Sequence, residues 1–338
     1  MDLLTGGTGF LGAHLLYRLV EKGIKVRCIV RAESSRSQLN RIFSFYSTSP
    51  DNYSDQIEWF EADLTDPVSL YEALEGVENV YHAAAKVSFL PSDRKEMNQV
   101  NVLGTANLVN AALDRKVRKL CHVSSIAAIG RGEANQVIDE NVLWVTSRRN
   151  SSYAVSKYGA EREVWRGFEE GLEGVIVNPS IILGPGEISS GSARMLETVK
   201  KGLKFYTPGI NGFVDVRDVA DIIVKLMESD ISHERFVVSA GNISYKDLFS
   251  WIADEMGKPA PAIASPRWLS ELAWRWFAVN SFLTGSKPLI TRETVTTSHN
   301  NYYYSSDKIV NRLGYKFTPI RKTIADTVNF YRRTNSLE

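Results

Sequence analysis

Tyr153 and Lys157 stand four residues apart in SSYAVSKYGAE (151–161), a spacing that sets both on one face of a helix. A tyrosine hydroxyl titrates near about 10 and is a poor acid or base at neutral pH. A lysine one turn away favours the phenolate and brings that hydroxyl into a useful range. The chemistry is movement of a proton to or from a substrate oxygen. A third group must hold that oxygen, and HVSSIAAIG (122–130) offers Ser124 and Ser125 where an apolar run ends.

A second constellation lies near residue 1. TGGTGFLG (5–12) holds four glycines and satisfies two overlapping patterns. Gly7, Gly9 and Gly12 fit G-x-G-x-x-G, while Gly6, Gly9 and Gly12 fit G-x-x-G-x-x-G. Both describe a turn from strand to helix, where unpaired N–H groups and a partial positive charge receive a dinucleotide's pyrophosphate. A bound nicotinamide would add its own positive charge near Tyr153, again favouring the phenolate.

The nucleotide is read at the end of the second strand. An NAD site places an acid there, about 20 positions on, to accept from the ribose 2′-hydroxyl. This chain has Arg31 there, with Ser34, Ser35 and Arg36 close by. A guanidinium binds a 2′-phosphate bidentately, so the expectation is NADP(H) in preference to NAD(H). The alternative is a solvated Arg31 with Glu33 as the ribose acid. Asp63, in EADLTD, either meets the adenine or sits in a helix N-cap region.

These residues need a scaffold, and the chain alternates strands with helices. LLT (3–5) leads to a helix over 10–23, whose Leu11, Leu15, Leu19 and Val20 share a face and which Gly23 stops. Strands follow in VRCIV (26–30), IEWFEAD (57–63), VENVYHAAA (77–85), KLCHVSS (119–125) and VIVNPS (175–180), with long helices over 93–115 and 151–170. That order implies an α/β, doubly wound parallel sheet (Rossmann), with ligands at the carboxyl ends of the strands. After Pro179 the rhythm breaks into Gly/Ser/Pro loops, and FVDVRDVADIIVKLMES (213–229) with ERFVVSA (234–240) reads as a helix and strand returning to the sheet. The expected division is 1–178 plus 213–238 for the dinucleotide domain. A smaller, mainly helical substrate lobe takes 179–212 and 239–338. Trp268, Leu272 and Trp276 form an i, i+4, i+8 stripe expected to pack against that lobe, a pocket wall or a membrane- or partner-facing surface being the alternatives.

Bulk composition excludes several classes. The net charge of +1 gives no electrostatic case for nucleic acid or an anionic membrane. No apolar run approaches the roughly 18 to 20 residues that span a bilayer. The two cysteines, Cys28 and Cys121, lie in buried-strand runs and fit a reducing, cytoplasmic setting. His14, His82, His122, His233 and His299 show no metal-ligand spacing, and no G-x-S-x-G elbow exists for a serine hydrolase. No metal is expected.

TGGTGFLG, DL at 63–64, AAA at 83–85, NVLGT at 101–105, VSS at 123–125 and YAVSK at 153–157 resemble an extended short-chain dehydrogenase/reductase of the NAD-dependent epimerase/dehydratase superfamily. FVDVRDVA (213–220) and SDKIVNRLGY (306–315) extend the resemblance over essentially the whole chain. It selects Gly6, Gly9 and Gly12 as the operative glycine spacing. It implies that Ser125 orients the substrate oxygen, that Tyr153 is the general acid for reduction, and that Lys157 lowers the tyrosine pKa and holds the nicotinamide ribose. Ser125 is preferred to Ser124 because it stands five before Gly130, as in the family's S-x-x-x-x-G stretch. The cofactor site so implied takes in Thr5, Gly6, Gly9, Phe10, Leu11, Gly12, Arg31, Arg36, Asp63, Leu64, Ala83, Ala84, Ala85, Val123, Tyr153, Lys157 and Pro179. Asn101 matches the family's helix asparagine, a more structural position. Relatives dimerise through the two long helices, so a monomer or a homodimer through 93–115 and 151–170 is implied.

Departures from the pattern narrow the branch. Nucleotide-sugar enzymes of this superfamily carry R-P-x-x-x-Y-G-P after the sixth strand, whereas this chain has Asn178 and Leu183 in place of the arginine and tyrosine. Asn211 stands where their phosphate-binding arginine would be, and Ile126-Ala127 replaces the dehydratases' Asp-Glu. A missing charge-assisted contact to a diphosphate costs about 1.5–3 kcal/mol. NPSIILGPG, GLKFYTPGINGFVDVRDVA and Arg31 instead resemble the dihydroflavonol-reductase-like branch. The implied activity is NADPH-dependent, reversible reduction of an aldehyde or ketone. The alternatives are a nucleotide-sugar epimerase/dehydratase and a non-catalytic NADP-sensing protein of the same fold. Arg31→Asp should move preference from NADPH towards NADH; an unchanged ratio of the two affinities in titrations would show that Arg31 does not read the 2′-phosphate.

Overall fold

The computed structural model describes residues 1–47, 50–130, 136–147, 150–187, 191–284 and 291–334. β1 (Asp2–Thr5) passes through the glycine turn into α1 (Phe10–Glu21), followed by β2 (Val26–Val30), α2 (Ser37–Tyr46), β3 (Ile57–Glu61), α3 (Pro67–Ala73) and β4 (Asn79–His82). The helical run expected over 93–115 is built as α4 (Arg94–Met97), a π-helical stretch Asn98–Leu103, and α5 (Gly104–Asp114). β5 (Lys119–Val123), the short β6 (Val137–Ile138), α6 (Ser152–Glu169), β7 (Gly174–Pro179) and β8 (Ile181–Leu183) come next. Then follow α7 (Arg194–Lys200), β9 (Phe205–Tyr206), β10 (Ile210–Asp215), α8 (Val216–Glu228), β11 (Glu234–Val238) and β12 (Gly241–Ser244). The last elements are α9 (Tyr245–Met256), β13 (Ile263–Ala264), α10 (Arg267–Thr284), α11 (Arg292–His299), β14 (Tyr303–Tyr304), α12 (Asp307–Leu313) and α13 (Ile320–Arg333).

Seven strands pair in the order β11-β7-β5-β4-β1-β2-β3, every pairing parallel. From β1 the chain winds one way to β2 and β3, and from β4 the other way to β5, β7 and β11. The reversal opens a crevice between the carboxyl ends of β1 and β4, the place where such sheets bind ligands. One face of the sheet is covered by α1 and α8, which bury Leu15, Leu19, Ile222, Ile223 and Leu226. The other face is covered by α3, α5 and α6 through Leu70, Leu108, Val109, Val164 and Phe168.

Beyond the main sheet, β12-β10-β8 form a three-stranded sheet. Its core joins Phe213 to Leu196, Leu248, Ile252, Ile324 and Tyr331. The segment expected to be helical from 213 therefore starts as strand. The helix begins only at Val216, where the Asp215 side chain accepts from the backbone N–H of Arg217.

The tryptophan stripe differs from the expected packing. Trp268, Leu272 and Trp276 are exposed at 64%, 57% and 64%. The adjacent stripe of α10 faces inward instead, with Ser270 buried and Leu269, Ala273 and Trp274 half-buried. A helical period identifies an apolar face but not whether a neighbour covers it. Cys28 and Cys121 are free and buried, and among the described residues no helix is long and apolar enough to cross a membrane.

Trp268→Ser should change stability by no more than about 0.5 kcal/mol in urea denaturation, as exposed sites do. Phe213→Ala, at a fully buried position, should cost about 3–5 kcal/mol. Comparable losses would mean that the stripe is covered.

Candidate active site

The glycine turn is held by close approaches that exclude side chains. Gly6 has φ +76°, and a Cβ there would lie 2.7 Å from the backbone nitrogen of Ala84. A Cβ on Gly12 would overlap the carbonyl of Gly6, and one on Gly7 would overlap the Cys28 sulfur. Gly9, which starts α1, meets only the Gly6 oxygen at 3.1 Å. No side chain caps α1, and its first turn carries no acidic residue. The cradle thus suits a pyrophosphate: backbone donors, a helix N-terminus and no competing anion. Leu11 is buried, and the Phe10 ring lies against Gly186, where a Cβ would come within 2.8 Å of it.

Across the crevice, Ala83, Ala84 and Ala85 follow β4. The Ala83 N–H donates to the Thr5 carbonyl at 3.2 Å, and the Ala84 N–H donates to Thr5 Oγ1 at 3.1 Å. A single chain of hydrogen bonds continues inward. Thr5 Oγ1 lies 2.7 Å from His82 Nδ1, His82 Nε2 lies 2.9 Å from Thr105 Oγ1, and Thr105 donates to the Asn101 carbonyl at 2.6 Å. Because Thr105 spends its proton on that carbonyl, it must accept from His82 Nε2–H, leaving Nδ1 to accept from Thr5. Asn101 then binds both backbone groups of Lys86 and Ser156 Oγ at 3.0 Å, tying the alanine loop to α6.

At the end of β2, Arg31, Glu33 and Arg36 are all exposed. The Arg36 guanidinium lies over the Trp59 ring at 4.2 Å. Asp63 accepts from the Thr65 N–H at 2.7 Å and the Thr65 hydroxyl at 2.6 Å. Burial works against its charge, yet these bonds and the nearby Arg31 hold its carboxyl below the ordinary range. The carboxylate is engaged in a local turn, while the N-cap of α3 is Asp66, whose side chain accepts from the Val68 N–H. Leu64 is buried under Gly104.

α6 opens with Ser151 capping the Ala154 N–H, which places Tyr153 in its first turn and Lys157 one turn on. Lys157 is 2% exposed, and its Nζ donates to the Val123 carbonyl at 2.8 Å. Burial lowers its pKa to about 8, with Glu161 acting in the opposite direction. Tyr153 is half-buried, with the Phe89 ring edge-on at 6.0 Å. Ser124 is buried and donates to Glu161 at 2.8 Å. Ser125 is half-buried, and its Oγ accepts from the Ala127 N–H at 3.1 Å. The strand-end serines therefore differ in kind: Ser124 is buried and bonded to Glu161, and Ser125 is half-exposed. Gly130 is needed for packing, since a Cβ would overlap the Leu143 carbonyl. Pro179 is buried as the last residue of β7. Among the described residues no metal-binding cluster occurs.

Sequence reasoning missed what surrounds these groups. Glu161 and Arg235 form an ion pair at 2.9 Å beneath the site, and Asn178 bonds to both Glu161 and the Ser125 carbonyl. The i, i+4 spacing of Lys157 and Glu161 was a visible signal; Arg235, from a strand far along the chain, carried none.

A doubly wound parallel sheet with a glycine cradle at its switch point defines a Rossmann dinucleotide-binding enzyme. The chain belongs to the NAD dependent epimerase/dehydratase family, whose model matches residues 3–239. It is 31% identical to a putative dihydroflavonol 4-reductase of Synechocystis sp., over 97% of this chain and 94% of that protein. Sterol demethylase protein B of Methylococcus capsulatus is 30% identical over 98% of each. Among solved structures, gox2253 superposes with a TM-score of 0.82 at 31% identity, covering 100% of this chain and 99% of the other. UDP-glucose 4-epimerase of Thermus thermophilus, in complex with NAD, shares the fold at a TM-score of 0.74 and 22% identity, over 98% of both chains. The protein is an NAD(P)-dependent oxidoreductase of the extended short-chain dehydrogenase/reductase type, in its dihydroflavonol-reductase-like branch.

The site rests on buried neutral imidazoles. Burial lowers His14 from 6.5 to about 4 and His82 from 6.5 to about 3, and Lys157 adds repulsion at His82. His122 falls well below 6.5 for the same two reasons, with His82 adding to them. The unfolded chain takes up protons at these residues below pH 6.5 while the folded chain does not. Their stabilisation is therefore complete above that pH and declines as pH falls through the window towards the folded values. Urea titrations should show stability declining from pH 6.5 to about 5, by up to about 1.4 kcal/mol per pH unit for each imidazole. A flat profile there would contradict buried neutral histidines.

Proposed function

We propose that this protein reduces an aldehyde or ketone to an alcohol with NADPH, reversibly, through Ser125, Tyr153 and Lys157. The nicotinamide, when bound, supplies the hydride to the carbonyl carbon. Tyr153 gives its hydroxyl proton to the substrate oxygen, and Ser125 holds that oxygen by a hydrogen bond. Lys157 favours the tyrosinate that remains and offers its ammonium to the nicotinamide ribose. The observation that carries this reading is the placement of Lys157. A buried ammonium docked on the Val123 carbonyl stands one turn from Tyr153, at the strand end that bears Ser125.

Two findings favour a reductase over a nucleotide-sugar enzyme. Relatives include cinnamoyl-CoA reductase 1 of Petunia hybrida and vestitone reductase of Medicago sativa, at 26% and 29% identity. The two positions that carry arginine in the nucleotide-sugar pattern, of which 211 is the phosphate-binding one, hold buried, engaged asparagines. Asn211 is 3% exposed, with its Oδ1 accepting from the Gly212 N–H, and Asn178 is 0% exposed and bonded to Glu161. Neither presents a cation to a diphosphate.

NADP(H) is the proposed cofactor in preference to NAD(H), supported by the exposed guanidiniums of Arg31 and Arg36 beyond β2. Residues 1–178 plus 213–238 bind it, and 179–212 with 239–338 form the substrate lobe. The proposed assembly is a monomer or a homodimer through 93–115 and 151–170, where Leu103 and Val155 are exposed. The proposed setting is cytoplasmic, with no membrane or nucleic-acid partner.

NADPH oxidation against a panel of aldehydes, ketones and CoA thioesters tests the activity. Tyr153→Phe should lower the rate on the best substrate by about 10²–10⁴-fold, the usual contribution of a positioned acid. A variant reducing at the wild-type rate would contradict the mechanism.

A further inference from the structure

Glu161 lies one turn beyond Lys157 on α6 and is 1% exposed. Oε2 accepts from Ser124 Oγ at 2.8 Å and from Asn178 Nδ2 at 2.8 Å. Oε1 accepts from the Arg235 guanidinium at 2.9 Å and from Trp165 Nε1 at 3.4 Å. Asn178 also donates to the Ser125 carbonyl at 3.0 Å. The other Arg235 donors go to the carbonyls of Glu140 and Val142. One carboxylate thus joins α6, the end of β5, β7 and β11. Taking a carboxylate out of water is costly, and an apolar residue of similar volume is often as stable or more so. A role beyond packing is called for, and the partners indicate one.

We propose that Glu161 is a positioning residue of this site: its bonds to Ser124 and Asn178 fix the turn that presents Ser125, and its charge keeps Lys157 an ammonium. The inference rests on the Ser125, Tyr153 and Lys157 reading. Tyr153 and Glu161 share the helix with Lys157. From the sheet, His82 on β4 and His122 on β5 feel the Lys157 charge and are neutral. Arg235 on β11 lies on the far side of Glu161, with Glu140 bound to the Val237 N–H beyond it. Glu161 is the group that offsets the effect of burial on Lys157. The same geometry explains Asn178. A guanidinium there would add a second cation to a carboxylate already paired with Arg235, whereas the neutral amide divides its donors between Glu161 and Ser125.

The test is the pH dependence of alcohol oxidation with NADP⁺ by the full-length protein, using the product of the best reductase substrate. Oxidation needs the tyrosinate, so kcat/KM rises through the Tyr153 pKa. In Glu161→Gln the buried ammonium loses the negative charge one helical turn away and deprotonates at lower pH, and Tyr153 then ionises only at higher pH. The rising limb should move alkaline by about one pH unit, with about tenfold lower kcat/KM on the limb. Glu161→Asp, which keeps the charge, should return the limb towards wild type. Asn178→Ala leaves the charge and should keep the limb in place while raising KM for the carbonyl substrate several-fold. If Glu161→Gln does not fold, the Asp and Ala variants carry the test. A Gln limb at the wild-type pH, an Asp limb displaced like that of Gln, or an unchanged KM in Asn178→Ala would overturn the proposal. Wild-type activity in Tyr153→Phe would instead defeat the underlying catalytic reading, so the two failures are distinguishable.

Discussion

The ammonium of Lys157 sits almost wholly out of water, against the carbonyl that ends β5. Burial works against a charge in that place, and the Glu161 carboxylate acts the other way. Glu161 is placed one turn away, Arg235 balances Glu161 in turn, and the nearby imidazoles of His82 and His122 stay neutral. In the proposed mechanism, Lys157 is the cation that stands one turn from Tyr153 and favours its phenolate.

The glycine turn and the start of α6 are parts of one hydrogen-bonded frame. Thr5, at the start of the glycine turn, leads through His82 and Thr105 to the Asn101 carbonyl, and the Asn101 side chain reaches Lys86 and Ser156 on α6. The π-helical stretch that interrupts the long helix carries Asn101. The winding of the sheet makes the frame possible, because β1, β4, β5 and β7 are neighbours at the carboxyl edge although far apart in the chain.

Parts of this organisation were legible from residues alone, for physical reasons. Strands β1 to β5 and β7 are short runs closed by turn residues, and the glycine-rich turn was visible as such, but residues alone left two glycine spacings open, and close approaches forbid a Cβ at Gly6, Gly7 and Gly12 alike. Tyr153 and Lys157 stood out because an i, i+4 spacing is local and sets both on one helix face, whereas Ser125 was preferred to Ser124 only through the family resemblance. Nonlocal contacts were not legible. The partnership of Arg235 with Glu161 spans 74 residues and depends on β11 pairing with β7. The start of α8 at Val216 depends on Asp215 serving as a cap at the end of a strand in a second sheet. Trp268, Leu272 and Trp276 had the period of a packed face, but coverage depends on what lies opposite, and α10 turns its neighbouring stripe inward.

Asn178 and Asn211 depart from the nucleotide-sugar pattern, and both are buried and engaged in internal hydrogen bonds. The family's fold is thus retained while these two positions carry neutral, internally bonded amides. The central claim is net hydride transfer to a carbonyl, and isotope transfer with stoichiometry measures it most directly. With NADPH deuterated at the transferred position of C4, the account predicts one deuterium on the carbinol carbon for each cofactor consumed. Interconversion of a sugar nucleotide without net cofactor consumption, with no label passed to any carbonyl in the panel, would contradict it.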